Sequence, residues 1–417
     1  MGSMKNNFLV FLILAISSSA FSQNASLSPY SYFGFGQSTS NRTAENNSMG
    51  GVTVYADSTQ FSLDNPATLG KLDFVQYRIG VSYKSASQYS DLNTSNTNNA
   101  SLNYLSLSIP TKHFAFGFGL KPKTGMGYRL RTVDATDEFE NTLLHQGSGG
   151  LNSTFFSLAV NPIKGLSLGA GAHYNFGFTD KFFTRSTLGV ELSTQVFTRS
   201  ELSGIQFMLG AHYQGNIFAD YQVQLSATFM PAASLEGINL KTISTLSSTG
   251  AISSLQEIDL GNLAQSSNKL PAETNLGIGI GKQQKWFVGA SLMTSDQGIS
   301  NPLETNPDVA YTASSRLSLG GFYIPQFNSF TSYLKRIVYR GGFRFEETGI
   351  NLKNQAIKDF GITFGLGLPI GNFSKANIGV EIGKFGTKDA GLIEEKYTNI
   401  MLGFSLSDIW FIKRKYD

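Results

Sequence analysis

The stretch "VQYRIGVSY", residues 75–83, sets Val75, Tyr77, Ile79, Val81 and Tyr83 on one side of an extended chain and Gln76, Arg78, Gly80 and Ser82 on the other. Strand side chains alternate between faces, so this is a strand with one apolar side. The pattern returns at Phe114, Phe116, Phe118 and Leu120 against Ala115, Gly117 and Gly119, and at Leu166–Phe176, Tyr221–Phe229 and Phe360–Leu368. Throughout, the second face is mostly glycine, serine and amide, where the outer face of a soluble sandwich would carry charge. Small, neutral inward residues suit a barrel whose lumen is narrow or filled.

Strands read near 72–84, 101–110, 113–122, 151–160, 165–180, 201–214, 219–230, 272–281, 285–294, 311–323, 334–346, 359–369, 376–385 and 397–407 make about fourteen. An even number is what a single-chain bacterial barrel requires. Short connections such as Thr111-Lys112 and Lys282-Gln283-Gln284 interleave with long ones at 85–100, 123–150, 181–200, 231–271 and 295–310. Sorting by parity puts short turns at the periplasmic end with both termini, and long loops outside. The expected fold is therefore all-β: a fourteen-stranded antiparallel transmembrane β-barrel.

Lys5 precedes the apolar run Phe8–Ile16 and the small residues Ser17–Ala20, the form of a secretory signal peptide over 1–22. Its apolar core is too short to span a bilayer as a helix. The sequence has 44 glycines, 33 phenylalanines, 17 tyrosines, 15% charged residues and no cysteine, which excludes disulfides, thiolate metal sites and a cysteine nucleophile. The histidines (His113, His145, His173, His212) lack metal spacing, and no phosphate-binding or hydrolase motif occurs. The reading is no enzyme, no cofactor and no metal. A net charge of +3 on an exported chain gives no case for nucleic acid.

Three regions follow: the signal at 1–22, an N-terminal segment at 23–70 and the barrel at 71–417. Tyr30, Tyr32, Phe33, Phe35, Val52, Val54, Tyr55, Phe61 and Leu63 give the middle region too much apolar content for a free tail. It is expected to fold into the lumen as a plug. At its end stands "FSLDNPATLG", residues 61–70. Pro66 forces Asn65 out of the helical region, and the Asn65 side chain can bond backbone groups a residue or two away, so Asn65, Pro66 and Ala67 form a locked turn into strand one.

Met49-Gly50-Gly51, Asp57 and Asn65-Pro66-Ala67 together resemble the N-terminal hatch of the outer-membrane long-chain fatty-acid transporters, the FadL type. "FAFGFGLKPKTGMGYRL" (114–130) is similar to that family's third strand, and "FMPAASLEG" with "KLPAETNLGIGI" resembles its proline-containing seventh and eighth strands. The resemblance implies a barrel closed by a hatch, a hydrophobic ligand and a lateral exit at strand three. It also extends to a branch associated with type IX secretion.

Pro122 cannot donate to a ladder, and Gly125 and Gly127 permit a bulge or inward kink, which makes these three the candidates for a lateral opening. Lys121 and Lys123, bracketing the proline, allow a second reading as interfacial side chains snorkelling to lipopolysaccharide phosphates. Arg336, Arg340 and Arg344 fall at even spacing on one expected strand, with Glu346 in register, Glu381 two strands along and Arg78 inward on strand one. Buried charges need partners, and Glu45, Asp57 and Asp64 are the expected acids. Ion pairs that pin the plug are preferred over a clamp for a ligand carboxylate. In "IWFIKRKYD" (409–417), Trp410, Phe411 and Tyr416 fit an aromatic belt, with Lys413, Arg414 and Lys415 at the periplasmic side.

Two functions remain in view. One is passive uptake of a hydrophobic small molecule past a mobile hatch and out through strand three. The other is a non-transporting accessory barrel within an outer-membrane protein secretion or assembly complex. Expected partners are outer-membrane lipid, a hydrophobic ligand or such a complex.

Overall fold

The computed structural model describes residues 26–39, 42–91, 93–134, 139–218, 220–304, 307–371, 373–408 and Trp410. The expected signal peptide (1–22) and Phe411–Asp417, with Lys413, Arg414, Lys415 and Tyr416, lie outside the described residues.

Among the described residues the strands are β1 (Gln37–Ser38), β2 (Val75–Tyr89), β3 (Thr94–Pro110), β4 (Phe114–Pro122), β5 (Thr124–Asp134), β6 (Asn141–Ile163), β7 (Leu166–Thr187) and β8 (Ser193–Phe218). They continue as β9 (Tyr221–Met230), β10 (Ala233–Leu246), β11 (Ile252–Glu257), β12 (Gln265–Leu270), β13 (Glu273–Lys282), β14 (Trp286–Ser295), β15 (Val309–Tyr311) and β16 (Ser314–Tyr323). The last are β17 (Val338–Leu352), β18 (Gln355–Ile370), β19 (Ser374–Gly386) and β20 (Glu394–Asp408). Taking β4–β5, β9–β10, β12–β13 and β15–β16 as single broken passes, and leaving out β1 and β11, the wall has fourteen antiparallel passes. It closes where β2 pairs with β20, from Val75↔Asp408 to Tyr89↔Glu394. Closure answers the cost of unpaired backbone in hydrocarbon, several kcal/mol for each orphaned group.

The outward side chains form an apolar surface that includes Tyr77, Val81, Leu105, Phe118, Phe207, Leu276, Val288, Phe364 and Leu402, all exposed. Their strand neighbours Gln76, Arg78, Ser106, Gln206, Asn275, Thr363 and Ser405 are buried. That is the inversion of a soluble sheet protein, polar within and apolar without, and it defines an outer-membrane type of barrel. No described helix is long and apolar enough to cross a membrane.

The strands run further than expected. Most of 85–100, 123–150, 181–200 and 231–271 is paired strand rather than loop, with β7 and β8 joined only by 188–192. The apolar alternation stops there, but the hydrogen-bond ladder does not, because outside the bilayer neither face must be apolar. The described residues of the connection at 296–308 stay a loop. At the other end the connections are 111–113, 164–165, 219–220, 283–285, 371–373 and one longer link, 324–337. Trp410 packs edge-on to Tyr77 near the seam.

The described part of the N-terminal segment lies inside the wall. Met49, Val52, Val54 and Tyr55 pack on Phe287, Phe322, Ile324 and Val338, while Phe61, Leu63, Leu69 and Leu72 pack on Tyr104, Phe155 and Ala159. The core of this molecule is therefore luminal, between segment and wall.

Candidate functional site

The wall breaks in its third pass. β4 ends on Pro122, which pairs with Asn152 of β6, and β5 resumes with Met126 opposite Gly149. Residues 123–125 thus face only 150 and 151, and the extra residue is a bulge. The Lys123 N–H donates to Leu151 O (2.7 Å) and the Leu151 N–H to Thr124 Oγ1 (3.1 Å). Gly149 and Gly150 make this possible at φ 113° and 139°, and a Cβ on Gly150 would stand 2.4 Å from Thr124 O. Past the bulge burial no longer alternates, and Thr124–Tyr128 are all buried, so the strand has turned inward with both faces covered.

Beyond the turn the pairing of the wall is incomplete. β3 meets β4 only from Leu105↔Leu120 to Pro110↔Ala115, although β2 holds the other side of β3 from Thr94 to Ser108. Among the described residues nothing pairs with the free side of β3 over 94–104. The break starts next to exposed Leu105, and Leu102 there pairs with exposed Val81 of β2. Pro122, Gly125 and Gly127 all sit on it. β1 fills its lower part, with Gln37↔Gly125, Ser38↔Thr124 and Thr39 N–H donating to Lys123 O (3.2 Å).

The turn into strand one is a short 3-10 helix, Pro66–Lys71, capped by Asn65. Asn65 Oδ1 accepts from Ala67 N–H (3.0 Å), and its Nδ2 donates to Ala211 O of β8 (3.1 Å). Two inward glycines make room: a Cβ on Gly169 would lie 2.4 Å from Ala67 N, and one on Gly210 would lie 2.3 Å from Asn65 Oδ1. The turn is thus a seat in the wall, locked on both sides.

The luminal charges form two groups. On one side Arg344 binds Glu381 (2.8 Å), Asp359 (2.7 Å) and Glu346 (3.0 Å) and donates to Tyr397 OH (2.9 Å). Glu346 also takes Arg316 (2.6 Å). Arg344 reaches β19 across β18 because its partner there is Gly361, where a Cβ would stand 2.4 Å from Glu381 Oε1. Arg340 donates to Asn377 Oδ1 (3.0 Å). The expected three-arginine ladder is a pair: Arg336 lies in the 3-10 turn Leu334–Arg336 ahead of β17 and sits over the Tyr333 ring. The sequence spacing failed there because the helical turn breaks the strand's period of two.

On the other side the N-terminal segment meets the wall. Arg78 Nη1 lies 3.7 Å from Glu45, its Nη2 donates to Thr59 O (2.6 Å), and its guanidinium covers Phe61. Asp64 holds Arg42 (2.9 Å) and Lys121 (3.3 Å). Burial pushes the Glu45 carboxyl up, but Arg78 and Arg340 outweigh it and bring its pKa to about 2. Asp64 likewise resists burial through Lys121 and Arg42 and falls to about 2. Of the acids expected to answer the wall arginines, only Glu45 does so. Asp64 serves Arg42 and Lys121, and Asp57 accepts from Tyr55 OH (2.7 Å) and from Thr59. The lysines do not snorkel: Lys121 is buried on Asp64, and Lys123 donates to Gln206 (3.0 Å) and lies 3.8 Å from Glu273.

Sequence reasoning passed over Arg42, Arg316, Asp359 and Tyr397. Arg316 and Asp359 carried a signal, each at even spacing from small or polar residues of one face, Ser314 and Ser318 for the first and Gly361 and Thr363 for the second. Between these groups and the break is a cavity of about 240 Å³ lined by Asn99, Asn103, Pro122, Arg316, Arg344, Glu346 and Glu381.

A closed barrel of fourteen passes, packed from within by its N-terminal segment and broken in the third pass, is the FadL-type outer-membrane fold. The chain is similar in structure to the Ralstonia pickettii toluene transporter TbuX, with TM-score 0.57, 14% identity, and coverage of 88% of this chain and 98% of that one. It is also similar to the CymD monoaromatic hydrocarbon channel (0.56, 13%, 88% and 97%) and to a Pseudomonas aeruginosa FadL homologue (0.55, 14%, 89% and 98%). At such identities the likeness is one of fold. No curated protein matches the sequence. The BamG family model matches residues 4–417, and the chain belongs to that family.

Proposed function

We propose that the protein is a passive channel for hydrophobic small molecules, which enter among the long connections, pass the N-terminal segment acting as a hatch, and leave sideways at Pro122, Gly125 and Gly127. Both termini then lie in the periplasm. The observation that supports this reading is the unpaired side of β3, which begins directly above exposed, lipid-facing Leu105 at the edge of the apolar surface. The fold's kinship with channels named for toluene and monoaromatic hydrocarbons supports it. Deleting Lys123 restores equal residue counts opposite 150 and 151 and should let β5 run straight on from β4. Uptake of toluene into cells expressing this variant should drop toward the rate of cells lacking the barrel; unchanged uptake would refute exit at the break.

A second reading is favoured by the cavity's chemistry. Arg316, Arg344, Glu346, Asp359 and Glu381 all line it, so an apolar solute there would lie against five ionisable side chains. An accessory barrel in a larger protein secretion or assembly complex needs no such pocket. In that case the ion pairs of Arg78 with Glu45 and of Asp64 with Lys121 act only to pin a plug. Stoichiometric co-purification of a large partner, with toluene uptake unaffected by loss of the barrel, would replace the first reading by this one.

A further inference from the structure

The upper part of the wall break is an open strand edge of defined polarity. On β5 the groups that face away from β6 can be identified from what already binds them: Lys123 O accepts from Thr39 N–H, Gly125 pairs with Gln37, and Gly127 N–H donates to Ser31 Oγ (3.1 Å). Strand geometry repeats every second residue, so the N–H and C=O of Arg129, Arg131 and Val133 point into the gap as well. Among the described residues no strand pairs with them, and across the gap β3 is unpaired over 94–104. Thus the two strands that border this break each carry an unpaired edge, and the slot is the gap beside β5.

We propose that this slot binds an extended polypeptide segment bearing acidic side chains, which adds as a strand to β5 where β1 stops. Three observations favour a peptide over an acyl chain or aromatic ring. β1 is a non-wall segment already seated on the same edge, which shows that the edge takes main-chain partners. The β3 side chains that line the cavity at the slot are Thr97, Asn99, Ser101 and Asn103, polar throughout. Arg129 and Arg131 are exposed on one face of β5, with no acidic partner among the described residues, which supplies charge for a strand with acids at alternate positions. Main-chain bonds then give affinity and the arginines give preference, the division of labour seen in strand addition generally. The inference holds whether or not the barrel also passes a small molecule.

The test is hydrogen exchange on the full-length barrel in lipid nanodiscs, with a synthetic peptide of about nine residues alternating glutamate and valine as probe. The peptide should slow exchange of the Arg129, Arg131 and Val133 amides about tenfold or more. The same peptide N-methylated on its edge-facing amides should give no protection, and a lysine–valine peptide should bind at least several-fold more weakly. In the barrel, Arg131→Pro removes a gap-facing N–H without costing a β5–β6 bond, and it should abolish protection. Because that variant may fail to fold, Arg129→Glu with Arg131→Glu provides a second check and should reverse the preference between the two peptides. Equal protection by the N-methylated peptide, or none by any peptide, overturns the proposal; protection by toluene alone would assign the slot to small apolar solutes instead.

Discussion

Replacing Asp64 by asparagine removes the one carboxylate shared by Arg42 and Lys121, whose side chains are 3% and 7% exposed. Breaking a buried pair by deleting one partner costs about 3–5 kcal/mol, because the remaining charge has no solvent to turn to. Asp64 is itself 21% exposed, so some of that cost is relieved and the lower end applies. A second route gives a similar figure. Its pKa falls from 3.8 to about 2, and at ~1.36 kcal/mol per unit this is about 2–3 kcal/mol. At pH 7 the Asn variant should therefore weaken docking of the N-terminal segment by about 2–3 kcal/mol, or some 30- to 150-fold in the open population. Hydrogen exchange resolved by peptide reads this directly: amides over 44–72 should speed by that factor, while those of β18 to β20 stay unchanged. Exchange over 44–72 within about twofold of the parent would refute the claim that Asp64 holds the segment.

Acid should act through the same groups. Glu45 and Asp64 have depressed pKa values near 2, so their stabilisation is complete above about pH 5 and is lost as pH falls towards 2; segment exchange should be flat from about pH 5 to 8 once intrinsic rates are removed, and rise below about pH 5. Arg344→Ala leaves Glu346, Asp359 and Glu381 facing one another and should cost about 3–5 kcal/mol in denaturant unfolding, whereas Arg336→Ala, outside the strand, should stay within about 0.5 kcal/mol. Gly169→Val puts a side chain into the seat of Ala67, 2.4 Å from its N atom, and should expose the Pro66–Lys71 turn to protease in the folded barrel.

The wall was legible because lipid imposes a period of two on its outer face, and residues 75–83 or 360–368 display that period without interruption. Above the bilayer the constraint ends, so β6, β7 and β8 continue through residues that look like loop. The bulge in strand three had a signal in Pro122, which cannot donate to a ladder, but the glycines that take positive φ there, Gly149 and Gly150, lie on the partner strand β6 and nothing in their sequence marks them out. Arg344 and Glu381 could be placed inward by parity, but their mutual contact depends on Gly361 lying between them, and pairing register is not written in either residue. Arg336 shows the limit: parity holds only while the chain remains a strand.

The position of Asp64 ties together two parts of the molecule that would otherwise be separate. Lys121 sits one residue before Pro122, at the start of the wall break, and Arg42 belongs to the N-terminal segment. One carboxylate bonds both cations. If the segment withdraws with Asp64, Lys121 is left charged in a buried place beside the bulge. If instead β4 straightens and draws Lys121 toward the wall, Asp64 keeps Arg42 alone and the bulge must give up the Leu151 N–H bond to Thr124. β1 adds a second tie, since its pairing with Thr124 and Gly125 fails when either strand moves. Neither the segment nor the break can shift alone without stranding a buried charge or backbone groups. The cost of each motion is lowest when the other accompanies it, so the position of the segment and the shape of the bulge are coupled through named contacts.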